Sequence, residues 1–451
     1  MLLDAPLPTQ SPRVEDTAPS VRLLSFSAGI FLTLELLIAT SADFLWYGPL
    51  PAWCILPIIG AIFAVLDRNG RQALAEFLGK IMLPVVLPWI LFTLVISGID
   101  ISKGLIEESG SRRVFLNLAG LFSLIMTGFW ATRVRPRMTV YVLLFVAAMQ
   151  ATVSIAQYSG NTLAWSAPEL ILKFSGARTD KVVIDDSAYL SVGRVRGTNP
   201  YVHKFTPMQG ITCAFLISVL VLNFQSKNPL STRTIPLLLG TLLGTVGMFL
   251  TFSRSSIYGT ALLLGALLLS VRRFGTVALM VTIVGLAYGV GTQLNLEDSK
   301  QFNRISDVDT TRGTNAGRIN QYSRALNDFR AYPLIGHPQG SSSRYAVPIH
   351  SVILRIMVDY GVFGAVLYLA VLAGILRTLW RYRKRQGDET RVIALAAIGA
   401  IFVALLDSWT HSSGLLVVDV TQPPLFGAFL GAVIGDLGQR IADRPRFGSN
   451  L

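Results

Sequence analysis

Cysteine is nearly absent: the 451 residues hold two, Cys54 and Cys213. Both lie inside apolar runs, which excludes a disulfide framework and a cysteine metal site. Histidine is as scarce, with only His203, His337, His350 and His411, and their spacing fits no zinc site. Charge is thin as well: 14% of residues are charged against 52% hydrophobic, a balance outside the range of soluble globular chains. The first 21 residues, rich in Pro, Ser and acidic side chains, lack the basic start and small-residue cleavage site of a secretory signal. No internal repeat stands out.

What the chain has in abundance is apolar runs of membrane-crossing length. They fall near 22–42, 48–66, 80–98, 114–132, 138–157, 207–224, 234–252, 255–271, 275–293, 362–380, 392–409 and 423–437. The expected fold class is an all-α polytopic membrane protein with about twelve transmembrane helices. Residues 1–21 read as a disordered cytoplasmic tail, 22–440 as a single transmembrane domain and 441–451 as a second cytoplasmic tail.

Lys and Arg set the orientation, because short cytoplasmic loops retain basic residues. With the N-terminus inside, the short inner segments hold Arg68, Arg71 and Lys80, then Arg133, Arg135 and Arg137, with a further run from Arg377 to Arg391. The short outer loops keep only Lys103, Arg112, Arg113 and Arg254. Both termini are therefore expected in the cytoplasm. The same asymmetry accounts for most of the net charge of +13, so no nucleic-acid partner is expected. Membrane lipids are.

Two outer segments, about 158–206 and 294–349, are too long to be simple connections. The first carries Trp165, Leu170, Ile171, Leu172 and Phe174. The second contains a helical stretch from Arg318 to Phe329 with Ile319, Tyr322, Leu326 and Phe329 on one side. Short helices folding over the mouth of the bundle are expected in both.

Within these segments lie the residues that carry chemistry. In Arg194-Val195-Arg196-Gly197-Thr198-Asn199-Pro200, alternation puts two guanidinium groups on one face of an extended piece, and Gly197 lets backbone donors approach a ligand. That suits a phosphate or diphosphate. The same residue types also fit a solvated basic loop beside anionic headgroups. Arg254 stands between two apolar spans with no room for a loop, where an ionisable residue is costly; snorkelling to headgroups is its structural alternative.

His350 follows Pro348-Ile349 and precedes Ser351, a fitting N-cap for the next helix. The positive end of that helix favours a neutral imidazole able to accept a proton. A purely structural hydrogen-bonding histidine is the other reading. Arg355 and Asp359, four apart, are spaced to pair. Asp407 is an acid at membrane depth that could orient a histidine or a sugar hydroxyl. Asp307-Val308-Asp309 has a two-carboxylate spacing, yet it sits in an ordinary polar loop and no metal is assigned to it.

Several of these motifs occur in one order: Arg196-Gly197-Thr198-Asn199-Pro200; Thr251-Phe252-Ser253-Arg254-Ser255; Gly317-Arg318 with Tyr332-Pro333-Leu334-Ile335-Gly336; and His350-Ser351 leading to Asp359-Tyr360-Gly361-Val362-Phe363-Gly364. This succession resembles the O-antigen ligase and polymerase superfamily over about 190–370. Ser255, His337 and Ser351 depart from the usual family pattern.

The resemblance implies metal-independent, cofactor-free transfer of a glycan from a polyprenyl-diphosphate donor to a sugar hydroxyl. It also implies inversion at the anomeric carbon, the periplasmic face of a bacterial inner membrane, and a glycan or lipid A core as acceptor. Arg196, Arg254, Arg318 and Arg194 would hold the diphosphate, His350 would act as base, and Asp407 and His337 would support them. Two other classes share the layout, a secondary transporter with twelve helices and an accessory subunit of polysaccharide assembly. Carriers show paired halves and midplane binding groups, whereas here the polar groups gather at one interface.

Overall fold

The computed structural model describes residues 19–41, 46–47, 50–103, 108–175, 195–199, 202–225, 234–251, 253–270, 313–338, 349, 351–383, 388–408 and 422–435. In chain order the helices are α1 (Pro19–Ser41), α2 (Ala52–Leu66), α3 (Arg68–Phe77), α4 (Leu83–Ser102), α5 (Glu108–Ala131), α6 (Pro136–Tyr158), α7 (Thr162–Trp165), α8 (Ala167–Ser175) and α9 (Val202–Gln225). They continue with α10 (Thr234–Leu250), α11 (Arg254–Ser270), α12 (Gly313–Ala331), α13 (Val352–Tyr382), α14 (Asp388–Ser408) and α15 (Gln422–Ile434). One minimal antiparallel hairpin precedes α2, with Trp46 opposite Pro51 and Tyr47 opposite Leu50.

Among the described residues, six helical stretches are long and apolar enough to cross a membrane. They are Gly70–Ser102, Val114–Ala131, Pro136–Tyr158, Phe205–Phe224, Val352–Tyr382 and Glu389–Ser408. Shorter apolar helices cover Ser27–Thr40, Trp53–Leu66, Thr234–Leu250 and Gln422–Ile434. The chain is a multi-pass, all-helical membrane protein. Every predicted span coincides with a described helix except 275–293, which lies outside the described residues, as do 1–18 and 436–451.

The basic connection after α2, expected as a simple inner loop, is helical instead. Asp67 caps α3 by accepting from the Gly70 amide at 2.6 Å. A π-helical turn, Leu78–Met82, then runs directly into α4, and within it Lys80 pairs with Glu76 one turn back at 2.6 Å.

Backbone-close packing holds the bundle centre. A side chain on Gly427 or Gly431 of α15 would run into the α5 backbone at Leu124 and Gly128, the small-residue contact that lets membrane helices touch without a hydrophobic drive. Helix α1 joins α5 through a polar contact as well: fully buried Glu35 accepts from the Ser123 hydroxyl at 2.8 Å.

Helix directions decide which ends meet. Along α6 and α10, Leu144 lies at Gly240 and Ala151 at Gly247, so these two run parallel and Tyr158 and Leu250 share an end. Cys213 lies at Gly244 and Gln209 at Gly244 and Gly247, so α9 runs antiparallel to α10, which brings Val202 to that end. Consecutive, packed α13 and α14 likewise point the Val352 end of α13 and the Asp407 end of α14 the same way. This is the site end.

Candidate functional site at one end of the helical bundle

Two glutamines build the first part. Gln150 and Gln157, two turns apart on α6, are both buried and point at the 195–199 segment. The Gln157 side-chain oxygen accepts from the amides of Arg196 and Gly197, each at 3.0 Å. Its nitrogen donates to Gly197 O at 2.6 Å and Ala164 O at 3.0 Å. Gln150 accepts from the Thr198 amide at 3.1 Å and donates to the Thr198 hydroxyl at 2.7 Å.

Gly197 has φ 59°, a left-handed conformation suited to glycine, and a Cβ there would fall 2.5 Å from the Gln150 oxygen. The segment is a turn, closed by Asn199 N donating to Arg196 O at 3.2 Å. It is not the extended piece that alternation predicted. Its backbone donors face the glutamines and are not held out to a ligand, because buried N–H groups must be satisfied.

Arg196 is 0% exposed, which removes the solvated-loop reading for this residue. Its Nη2 donates to Trp165 O at 2.8 Å, and its guanidinium lies 5.6 Å from the Trp165 ring centroid. Trp165 is in turn fixed by donating from its indole to Gln157 O at 2.9 Å. Arg194 lies outside the described residues.

The second part is the break between α10 and α11. Val195 packs against Leu250 at the end of α10, so the turn and the break adjoin. Ser253 O starts α11 by accepting from Ile257 N at 3.0 Å. The Ser253 and Ser255 hydroxyls lie 3.2 Å apart, and Ser255 donates to Asp407 Oδ1 at the end of α14. Asp407, 1% exposed, thereby gains the partner that the sequence left unnamed. Arg254 is partly exposed in the first turn of α11. A cation at the positive end of a helix is unfavourable alone; the carboxylate reached through Ser255 offsets it, and an anionic ligand would do so further.

The third part explains two motifs at once. Gly361, at φ 64° and ψ −165°, breaks α13, and the turn after α12 fills the break. In an unbroken helix Val362 N would donate to Val358 O. Here Val362 N donates to Pro333 O at 2.8 Å, and Val358 O accepts from His337 N at 2.8 Å. Phe363 N donates to Leu334 O at 3.2 Å. A Cβ on Gly336 would fall 2.5 Å from Tyr360 N, so the glycines in Leu334-Ile335-Gly336 and Tyr360-Gly361-Val362 permit a backbone-to-backbone dock. Beneath it, Tyr360 accepts from Asn117 Nδ2 at 3.2 Å.

Helix α12 packs on the first half of α13 through Ala325, Ile349, Leu354 and Val358. Arg318 is partly buried there, and Nε of Arg318 and Oε1 of Gln321 have no hydrogen-bond partner among the described residues. Burial pushes the Tyr322 phenol above its usual range, and the Arg318 guanidinium opposes that shift. His337 is tied down locally: its Nε2 lies 2.9 Å from Asp328 O and its ring meets Tyr332 edge-on at 4.5 Å. Arg355 and Asp359 are both buried on α13.

His350 lies outside the described residues, as do Asp307, Asp309 and His411. The residues on either side of His350 are buried: Ile349 packs under α12, and Ser351 caps α13 by accepting from the Leu354 amide at 3.4 Å.

The structure thus brings Arg196, Arg254, Asp407 and the helix start after His350 to one end of the bundle, with Arg318 on a separate helix docked over α13. Sequence reasoning missed Gln150, Gln157 and Ser255, although two glutamines seven apart in an apolar span were a readable signal. A membrane bundle with guanidinium groups and a buried acid collected at one end is the class of protein these features define.

Residues 239–369 match the family model described as O-antigen ligase. The chain is similar to that family there, which agrees with the resemblance read from the motifs and supports ligase or polymerase-type activity in the broad sense. The matched stretch includes Arg254, Arg318, His337 and His350, whereas Arg196 and Asp407 fall outside it. No curated protein matches the chain.

Proposed function

We propose that this protein transfers a glycan from a polyprenyl-diphosphate-linked donor to a sugar hydroxyl, on the periplasmic face of a bacterial inner membrane, with both termini cytoplasmic. The acceptor is a growing glycan or lipid A core. The observation that carries the reading is the junction of Arg254, Ser255 and Asp407 beside the buried Arg196 turn, within and next to the stretch similar to O-antigen ligases.

The chemistry is a single displacement. The bond between the anomeric carbon and the diphosphate oxygen breaks while the acceptor oxygen bonds to that carbon, inverting it. The acceptor proton passes to His350, whose imidazole the helix start keeps neutral. The leaving diphosphate needs cations more than an acid. Arg254, partly exposed, is the guanidinium a diphosphate oxygen can reach. Buried Arg196 adds positive potential from beneath and, with Arg194 and Arg318, completes the basic surround. Asp407 holds Ser255 and, through it, the start of α11. No metal is needed in this scheme.

The test is direct transfer by purified protein in detergent, given a lipid-diphosphate-linked oligosaccharide, an acceptor glycan and a chelator. Elongated or capped acceptor with stoichiometric release of polyprenyl diphosphate is expected. Folded protein that yields neither product removes the transferase reading and leaves the transport and scaffold classes.

A further inference from the structure

The break at Gly361 also fixes a depth in the bilayer. From Val362 to Tyr382, α13 spans about 30 Å at ~1.5 Å per residue, the thickness of a hydrocarbon core. Its far end carries exposed Trp380 with the Arg383 guanidinium 3.1 Å over the ring, the aromatic and cationic pairing that marks a membrane interface. Gly361 therefore stands at the hydrocarbon boundary on the site end.

Immediately past that boundary α13 turns an apolar side outward, with Val362, Phe363, Val366 and Leu369 all exposed. This is a lipid-facing surface. The turn after α12 is hydrogen-bonded to the first residues of that surface, Pro333 O to Val362 N and Leu334 O to Phe363 N. It lies at the same height. Its own side chains face outward: Leu334 is 59% exposed, with Tyr332 and Ile335 exposed beside it.

Helix α12 extends the surface. Ile319 and Leu326 are exposed on the flank that adjoins half-buried Tyr322 and Phe329, exposed Arg330 follows Leu326 one turn on along that flank, and Arg324 is exposed on the opposite one. Two apolar side chains in a row that ends on a basic one, long enough to reach headgroups, suit the edge of a membrane interface.

We propose that the Tyr332–Ile335 turn and the Ile319–Leu326 flank of α12 are seated in the interfacial zone of the bilayer leaflet at the site end. The occupant of this apolar surface is lipid, because the surface is continuous with the lipid-facing side of α13. The second outer segment is then not wholly aqueous. Helix α12 lies along the membrane, and the turn anchors it at the break in α13.

The experiment uses the full-length protein in phosphatidylcholine–phosphatidylglycerol vesicles. Cys54 and Cys213 are buried, so single cysteines at Leu334, Ile335 and Ile319 can carry a nitroxide, with Phe363→Cys as the lipid reference and Asn327→Cys as the water reference. Power saturation then compares collision with oxygen, which concentrates in the bilayer, and with a water-soluble nickel chelate.

Labels at 334 and 335 are expected to follow the Phe363 label, oxygen exceeding the chelate, at depths within about 10 Å of the headgroups. The label at 319 should fall between the references. Chelate access at 334 and 335 equal to that at Asn327 overturns the proposal. So does shielding from both reagents, which would mean that protein, from a second copy or a partner, covers the surface. Tyr332→Cys gives an independent reading of the same turn if one variant fails to reconstitute.

Discussion

Replacing Gln157 with alanine removes four hydrogen bonds from the turn that carries Arg196. At about 1 kcal/mol net for each ordinary hydrogen bond, the direct loss is about 4 kcal/mol. The asymmetry matters as much, since the amides of Arg196 and Gly197 become buried donors without an acceptor, at about 1–3 kcal/mol each. The turn sits at the end of the bundle, away from the α5–α15 contact, so the loss should loosen it locally and leave the helices assembled.

Arg196 would then shift relative to Arg254, and displacement of such a group by an ångström costs on the order of 10²-fold in rate. Gln157→Glu separates the two halves of the clamp. It keeps the two accepted bonds and loses both donations to Ala164 O and Gly197 O, so it should fall between wild type and alanine. The assay pairs initial transfer rates with thermal unfolding in detergent. A rate unchanged in Gln157→Ala, with normal protection of the 195–199 segment from proteolysis, refutes the reasoning.

Other outcomes follow from the same packing. Gly361→Ala must adopt a left-handed φ against the Leu334 backbone and should cost about 1–3 kcal/mol, read as faster tryptic cleavage at Arg330. Gly98→Ala, with nothing within 4 Å of the added carbon, should leave unfolding unchanged or raise its midpoint. Ser255→Ala strips a donor from buried Asp407 and should lower stability by about 1–3 kcal/mol, seen as an earlier melt. Glu35→Gln keeps an acceptor for Ser123 and should melt near wild type, whereas Glu35→Ala leaves a cavity and should lose about 2–4 kcal/mol.

The spans were legible because a bilayer imposes length and apolarity on each helix separately. The predicted 207–224 run sits inside Val202–Gln225, and the predicted Arg318–Phe329 helix inside Gly313–Ala331. The Ser351 cap was legible too, since its bond is local. What sequence could not supply was pairing across the chain. The docking of Pro333–His337 into the break at Gly361 joins two motifs with no local sign that they meet, and hydropathy shows only that an apolar run begins near 362, not what docks ahead of it. Gln150 and Gln157 were overlooked for a related reason: single polar residues inside a span lower its hydropathy little, while their partners lie about 40 to 48 positions away. Arg196 was legible as a residue but not in its setting, since burial under Trp165 depends on α7 folding back onto α6.

The account stands or falls on two substitutions measured side by side in the purified transfer assay. If a neutral imidazole takes the acceptor proton, His350→Ala loses on the order of 10²–10⁴-fold in kcat. If a guanidinium fork grips the diphosphate, Arg254→Lys is also poor, because one ammonium cannot replace it. Wild-type turnover in both folded variants would contradict the account.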